Sequence, residues 1–226
     1  MTCLKVISIM LLAVTTIWGI CAIAFGDSNG GNIELAIASV FGLLGLSTSV
    51  GLVLGRWQNV LMSTYCLAFA CLLIEWLSIS PSNDRQWQTD ARLLAYASFA
   101  GDVVTVHNIR NFDYRSEFDY RPAYYDKRFD LNRLQGVDLF AVYWMGPAIA
   151  HTIISFDFGD NDHLAISIEA RKEQHEGYST LKGFFRQYEL IYFVADERDV
   201  IRLRTHYRKN PPEQVYRYRQ IGRAHV

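Results

Sequence analysis

The chain has 226 residues, 50% of them hydrophobic, and its 22 Lys and Arg nearly balance its 23 Asp and Glu. Only two of the basic residues and three of the acidic residues precede Ser80, so the part after Ser80 is polar and near neutral. It lacks the basic excess that is typical of nucleic-acid-binding domains, and we exclude nucleic acid as a partner. All four cysteines precede Ser80, so the polar part of this chain forms no disulfide and carries no thiol nucleophile.

Three stretches near the N-terminus are almost free of charge, each about 22 residues long: 4–25, 33–54 and 59–80. At about 1.5 Å per residue, a helix of this length crosses a hydrocarbon core about 30 Å thick. A membrane span must satisfy its own backbone hydrogen-bonding groups, and a helix does so. Residues 1–80 are therefore predicted to be a membrane anchor of three helices.

The two basic residues of the anchor, Lys5 and Arg56, lie on the same side of the membrane in this arrangement. Because cytoplasmic connectors carry the excess of Lys and Arg, the N-terminus is predicted to be cytoplasmic and the chain from Pro81 onward to lie outside. The alternative is that the first span is a signal peptide, cleaved near the Ala-Ile-Ala of residues 22–24. Cleavage would leave two spans and the same orientation for the C-terminal part.

Residues 81–92 are predicted to be a polar linker, and residues 93–220 are long enough for one compact domain. The domain mixes β patterns with helical ones, which predicts an α+β fold with an antiparallel sheet. Two predicted helices begin after capping residues, Ser179 and Asp196. In chain order the predicted elements are strands 93–99, 103–109, 137–144, 151–158 and 164–169, helix 180–186, strand 188–195, helix 197–206 and strand 215–218.

The segment 111–130 is crowded with Tyr, Phe and Arg. Such a mixture suits the headgroup layer of a membrane, where aromatic rings and cationic groups are both stable. An edge strand or a loop that covers the core would have the same composition, and the sequence leaves both interpretations open.

A hairpin is predicted from His151 to Arg171, with its turn at residues 159–162. If the apolar face of one strand continues into the apolar face of the other, the numbers of two directly paired residues sum to 320 or to 322. Either register leaves a loop of three residues between the strands. At 320, His151 lies directly opposite Glu169, where Cβ atoms are about 5 Å apart. An imidazole–carboxylate hydrogen bond is then within reach, whereas His163, at the turn end, is too far away to join it.

This pair predicts a reactive site, because a carboxylate fixes the tautomer of an imidazole that removes a proton from a nearby Ser or Cys. We therefore predict His151 and Glu169 as catalytic residues; the alternative is a structural cross-strand pair. A zinc site is less supported, because His151, His163 and His175 lack ligand-like spacing and no cysteine joins them. The sequence indicates no cofactor and no metal.

Five runs of the domain carry a family resemblance. They are His-Asn-Ile-Arg-Asn-Phe-Asp-Tyr-Arg at 107–115, Ala-His-Thr at 150–152, Ala-Ile-Ser-Ile-Glu-Ala-Arg-Lys-Glu at 165–173, Phe-Arg-Gln-Tyr-Glu-Leu-Ile-Tyr at 185–192 and Ala-Asp-Glu-Arg-Asp-Val-Ile-Arg-Leu-Arg at 195–204. On these runs, residues 87–218 resemble the Lnb N-terminal periplasmic domain family of bacterial membrane-anchored proteins, which is named after lipoprotein N-acyltransferases.

The resemblance implies a permuted papain- or NlpC-like thiol fold, in which the His precedes the nucleophilic Cys; lecithin:retinol acyltransferase is a distant relative. His151 matches the family's His, and Glu169 matches its strand carboxylate. The family's Asn-Cys motif is absent from these 226 residues. Residues 221–226 match an in-frame read-through of a sequencing adapter, so we expect a C-terminally truncated fragment, inactive by itself, of a protein that continues past Gln220.

The resemblance implies a lipoprotein or phospholipid acyltransferase with a Cys-His thioester mechanism. The expected partners are membrane lipid and a lipoprotein or acyl-chain substrate, and the oligomeric state stays open. The expected location is the inner membrane of a Gram-negative bacterium, with several spans and a periplasmic C-terminal domain. Two alternatives remain: a peptidoglycan amide hydrolase of NlpC type, and a non-catalytic membrane-tethered binding module.

Overall fold

The computed structural model describes residues 3–26, 31–210 and 212–221. The chain divides into two compact units, Met1–Arg85 with His175–Glu189, and Gln86–Gln174 with Leu190–Val226. The predicted adapter-derived segment lies, from residue 222 onward, outside the described residues.

Three long helices make up most of the first unit: α1 (Cys3–Phe25), α2 (Asn32–Leu54) and α3 (Gln58–Ser78). Each begins and ends within two residues of the corresponding predicted span. All three are long and apolar enough to cross a membrane. The predicted set of three helices is therefore confirmed, and it indicates a membrane protein.

Small and hydroxyl-bearing residues hold the three helices together. A Cβ placed at Gly45 would collide with the side chain of Thr16, so α1 and α2 are in close contact at this glycine. The Tyr65 hydroxyl of α3 lies 3.0 Å from Thr16 Oγ1, which gives both polar groups a partner. Close approach at small residues and hydrogen bonds between helices are the usual means of packing where lipid surrounds the bundle.

The segment 175–189 belongs to the same unit. Its short helix α4 (Thr180–Phe184) begins after Ser179, whose side chain accepts a hydrogen bond from a backbone N–H of the first turn, as predicted. Phe185 follows α4 and is buried, with its ring centroid 6.4 Å from that of Trp18 and 6.1 Å from that of Phe25. These ring contacts join the segment to α1.

Besides α1 to α4, the described residues form ten strands and one more α-helix. The helix α5 begins after Asp196, whose side chain accepts a hydrogen bond from the Arg198 N–H, as predicted, and it continues as one wider π turn over Leu203–Tyr207. The elements are β1 (Tyr96–Ala100), β2 (Val103–Arg110), β3 (Asp113–Tyr114), β4 (Tyr120–Arg121), β5 (Tyr124–Asp130), β6 (Gly136–Tyr143), β7 (Ala150–Asp157), β8 (His163–Arg171), β9 (Glu189–Ala195), α5 (Glu197–Arg202) and β10 (Gln214–Ile221).

One sheet organises the second unit, with strand order β1-β2-β9-β8-β7-β6-β10 and with β5 paired to β2. The predicted hairpins β1/β2 and β7/β8 are present and antiparallel, and the pairs β2/β5, β6/β7 and β6/β10 are antiparallel as well. The pair β2/β9 is parallel, which the sequence did not predict. The predicted combination of a three-helix anchor and a mixed, sheet-rich domain is confirmed.

Away from its turn, the β7/β8 hairpin buries its more polar face and exposes its more apolar face, whereas near the turn Phe158 and Leu164 of the apolar face are buried. Ile153, Ser155 and Ser167 on one face are at most 1% exposed, whereas Ile154 and Ile168 on the more apolar face are 42% and 51% exposed. The first face is covered because Val200 of α5 packs in one cluster with Ile153. His151 and Glu169 alternate in phase with this covered face.

The aromatic segment 111–130 contains buried rings and one strand of the sheet. Phe112 and Tyr114 are buried in one cluster with Leu203, and β5 pairs with β2 along most of its length. The segment 111–130 therefore agrees with the prediction of an edge strand or loop that covers the core, rather than with a segment in the headgroup layer.

The predicted linker contains one buried residue, Trp87, which is 3% exposed. Its backbone forms an antiparallel bridge with Glu173, and the guanidinium of Arg171 lies 4.1 Å from the centroid of its ring. The bridge and the cation–π contact hold the start of the second unit to the end of β8.

A buried ion pair joins β2 to α5. Both guanidinium nitrogens Nε and Nη2 of Arg110 donate to the carboxylate of Asp199, at 3.0 and 2.8 Å. The Phe112 N–H and the Tyr114 hydroxyl donate to the same carboxylate, at 2.8 and 3.1 Å. Four donors therefore compensate for the loss of water around a carboxylate that is fully buried.

We expect Asp199→Ala to destabilise the second unit by about 3–5 kcal/mol, because it leaves the Arg110 charge buried without a partner. The matched control is Asp119→Ala, which breaks the exposed pair with Arg115 and should cost less than about 1 kcal/mol. Urea unfolding of the detergent-solubilised protein, followed by Trp fluorescence, measures both. Equal losses of stability in the two variants would contradict the role of the buried pair.

Candidate functional site

The predicted site residues lie near the open end of the β7/β8 hairpin. The register pairs Ile153 with Ser167, so paired residue numbers sum to 320, one of the two predicted registers. The Phe158 N–H donates to the Asp162 carbonyl, which leaves the predicted three-residue loop at 159–161. Continued by two residue pairs, this register sets His151 opposite Glu169.

His151 and Glu169 are in direct contact. His151 Nε2 lies 3.0 Å from Glu169 Oε1, and the two side chains are 20% and 23% exposed. The same Nε2 lies 2.7 Å from Ser167 Oγ, and the Ser167 hydroxyl donates to Glu169 Oε1 at 2.8 Å. The structure therefore brings the predicted pair together and adds a serine that the sequence analysis missed. Its position two residues before Glu169, on the same strand face, is the signal that was available.

A second missed residue, Arg204, binds the carboxylate from the π turn after α5. Its Nη2 donates to Glu169 Oε1 at 2.7 Å, and its Nη1 lies 3.3 Å from Glu213 Oε1. The Arg204 side chain is 6% exposed. No local pattern marks it, because it lies 35 residues from Glu169 and meets it only through the fold.

The electrostatics of the site keep Glu169 ionised. Burial by itself would raise the pKa of Glu169, but the hydrogen bond from His151 and the charge of Arg204 lower it well below its usual range. An ionised carboxylate accepts hydrogen bonds only, so it favours the His151 tautomer that carries its proton on Nε2.

The other imidazole nitrogen, Nδ1, is the reactive one in this tautomer. Both polar contacts of the His151 ring are made by Nε2, and within the described part of the chain Nδ1 has no hydrogen-bond partner. In the neutral imidazole with its proton on Nε2, Nδ1 carries the lone pair that can accept a proton. The arrangement can therefore act as a general base through Nδ1.

Ser167 does not have the geometry of a nucleophile. It is 1% exposed and donates its hydroxyl hydrogen to Glu169, on the Nε2 side of the imidazole. A nucleophile must be accessible to substrate and must face the basic nitrogen, which is Nδ1. Ser167 instead supports the orientation of His151 and Glu169.

Two cavities border this part of the second unit. The one next to Glu169 measures about 60 Å³, room for a few water molecules rather than for a substrate. The second, about 460 Å³, is an aromatic groove lined by Tyr143, Trp144, Pro147 and Tyr216. Tyr143 pairs with Ala150 and Tyr216 pairs with Ala141, so the groove lies on the face of the sheet opposite to that of His151.

The remaining candidate histidines lie elsewhere. His163 Nδ1 is 3.9 Å from Asp157 Oδ1 and 3.8 Å from Glu197 Oε1, at the turn end of the hairpin as predicted. His175 belongs to the first unit. The described residues contain no group of three His, Cys, Asp or Glu that could hold a metal ion.

Residues 120–220 match the family model of the Lnb N-terminal periplasmic domain. The matched range contains His151, Ser167, Glu169 and Arg204. No curated protein and no solved structure matches the chain. The match confirms the predicted family resemblance, and together with the three apolar helices it indicates a membrane protein with a periplasmic location.

We expect the stabilising contribution of Glu169 to depend on pH. Because its pKa is lowered in the folded protein, the contribution is present above the unfolded value of about 4.3 and is lost as the pH falls toward the folded value. The Glu169→Gln variant should therefore lose more thermal stability relative to the unmodified protein at pH 7 than at pH 3.

Thermal unfolding of the two proteins at both pH values checks this prediction. Asp160→Asn, which affects the exposed pair with Arg133, is the control and should change stability little at either pH. A Glu169→Gln effect of the same size at pH 3 and pH 7 would be inconsistent with an ionised, hydrogen-bonded carboxylate.

Proposed function

We propose that the second unit transfers or hydrolyses an acyl chain carried by a membrane lipid or a lipoprotein, through an acyl thioester. The observation that carries this proposal is the His151 imidazole, whose Nε2 is held by Glu169 and Ser167 while Nδ1 is left for a reaction partner. A histidine oriented in this way is the base of a nucleophilic site. The resemblance to the Lnb N-terminal periplasmic domain supports acyl transfer as the reaction class.

The nucleophile in this proposal is a cysteine thiol from outside these 226 residues, since the second unit contains no cysteine. His151 Nδ1 takes the thiol proton as the sulfur attacks the ester carbonyl carbon. The C–O bond then breaks, the alcohol leaves with that proton, and the acyl chain remains on sulfur. An amine or a water molecule next attacks the thioester, and the thiol is restored.

Glu169 acts in this scheme as a positioning residue. It touches neither substrate nor nucleophile; it holds the Nε2–H and stabilises the imidazolium that forms when Nδ1 takes a proton. Arg204 keeps the Glu169 carboxylate ionised and in place.

The inner membrane of a Gram-negative bacterium is the proposed location, with the second unit in the periplasm. Lys5 and Arg56, the two basic residues of the anchor, support this orientation by the positive-inside rule. Tethering raises the local concentration of lipid-borne substrates and so favours them over soluble ones.

We expect His151→Ala to lower the rate at least about 10²-fold, because the substitution removes Nδ1, the atom that takes the thiol proton in this scheme. The matched control is His163→Ala, which removes the other imidazole of the same hairpin and should leave the rate unchanged. The measurement is complementation of a chromosomal deletion by a gene that includes the proposed cysteine, read by mass spectrometry of lipoproteins and phospholipids.

The same strain separates the competing functions. Changed muropeptides with unchanged lipids would establish a peptidoglycan amide hydrolase and reject acyl transfer. A His151→Ala variant that folds and complements fully would reject both enzymatic functions and leave the membrane-tethered binding module.

For the positioning role we expect Glu169→Gln, made in a protein that includes the proposed cysteine, to lower kcat by tenfold or more with little change in KM, because substrate does not contact the carboxylate. The control is Glu197→Gln, a change of the same kind at a residue that hydrogen-bonds Ser155 on the same hairpin. A rise in KM at constant kcat would show that Glu169 contacts substrate and would refute a positioning role.

A further inference from the structure

The first unit contains a partly open cavity of about 720 Å³ among its helices and the segment that follows α4. Most of its lining is aliphatic or aromatic, from all three long helices, and includes Ile23, Ile37, Phe41, Leu44 and Leu72. Four charged residues also line it: Glu34, Glu75, Arg85 and Arg186. A lining that combines an apolar majority with a few charges is typical of a site for an amphipathic ligand.

The charged residues gather at one end of the cavity. Glu34 is in the first turn of α2 and Glu75 is in the last turn of α3, and these ends lie together in an antiparallel pair of helices. The deepest lining residues are Leu44 on α2, ten residues or about 15 Å from Glu34, and Ala68 on α3, seven residues or about 10 Å from Glu75. The apolar part therefore extends through about half of a 30 Å hydrocarbon core.

At this end of the cavity, the Arg186 cation is held in place by Trp76. The Arg186 guanidinium lies 3.9 Å from the centroid of the Trp76 ring and donates a hydrogen bond of 3.1 Å to the Trp76 carbonyl near the end of α3. The Trp76 indole N–H is buried and finds no acceptor among the described residues. An indole N–H only donates, so a ligand with acceptor oxygens would satisfy it.

Arg85 supplies a second cation, with its Nε 3.4 Å from Glu189 Oε1. The carboxylate of Glu34 accepts the Gly31 N–H at 2.6 Å, which holds it at the start of α2. The cavity end thus carries two guanidinium groups and two carboxylates. Such a set complements a zwitterion, which offers an anion and a cation within one headgroup.

We propose that the anchor binds one glycerophospholipid with a phosphoethanolamine headgroup. An acyl chain fills the apolar cavity, the phosphate accepts hydrogen bonds from Arg186 and the Trp76 indole, and the ammonium group lies by Glu34 and Glu75. This site does not depend on the chemistry of His151, and its test measures binding alone.

The experiment uses the whole chain in detergent micelles, titrated with acyl-labelled phosphatidylethanolamine and, in parallel, with phosphatidylglycerol of the same acyl composition. Soluble glycerophosphoethanolamine, added as a competitor, tests whether the headgroup alone is enough. Ala68→Trp fills the apolar cavity, and Ala70→Trp is its matched control at an exposed position of α3 that does not line the cavity. Arg186→Gln removes the headgroup cation, and Arg56→Gln is its control at the connector before α3.

The expected result is one phosphatidylethanolamine per chain, bound about tenfold more tightly than phosphatidylglycerol. Ala68→Trp should weaken binding of both lipids, and Arg186→Gln should weaken phosphatidylethanolamine about tenfold, while both control variants bind as the unmodified chain does. If Ala68→Trp fails to fold, as judged by far-UV circular dichroism, Arg186→Gln against Arg56→Gln decides.

Three outcomes would overturn the proposal. The first is equal affinity for the two lipids, and the second is equal affinity of each variant and its control; both indicate annular lipid only. The third is full displacement by glycerophosphoethanolamine at a concentration equal to that of the lipid, since this would show that the cavity holds no acyl chain.

Discussion

The carboxylate of Glu169 is the contact on which the candidate site depends. It accepts hydrogen bonds from His151 and Ser167 of the β7/β8 hairpin and from Arg204 of the π turn after α5. Arg204 is nearly buried and also contacts Glu213, which leads into β10. One oxygen thus joins the sheet, the helical segment and the strand that follows it. Moving any of these elements would break a charge-assisted hydrogen bond in a partly dry environment, where such bonds are strong.

A polar sheet face can be buried here because its polar groups satisfy one another. Ser155 donates to Glu197 of α5, Ser167 donates to Glu169, and the apolar residues between them, Ile153 and Ala165, pack with Val200 of α5. The buried Arg110–Asp199 pair fixes the same helix to β2. Helix α5 is therefore held to the sheet by packing and by charge, and this holds the π turn that delivers Arg204.

In the first unit, apolar residues occupy the middle of the helices, and charged residues lie at the helix ends. Most of the large exposed hydrophobic side chains on the long helices are aliphatic, close contacts occur at glycines such as Gly45, and the hydroxyls of Thr16 and Tyr65 pair inside the bundle. Charged residues occur at helix ends, where they can reach the headgroup region. The cavity in this unit follows the same division, because its apolar walls lie between the helices and its charges lie at the end.

The amino-acid sequence alone determined the three helices, the positions of most strands along the chain and both helix caps, and it limited the hairpin to two registers, one of which sets His151 opposite Glu169. These features depend on local periodicity, on capping chemistry and on span length, all of which are written in neighbouring residues. The tertiary structure decided which hairpin face is buried, the parallel pairing of β2 with β9, and the roles of Ser167 and Arg204. Arg204 meets Glu169 across 35 residues, and the buried face is chosen by where α5 packs, so no local pattern could have predicted either.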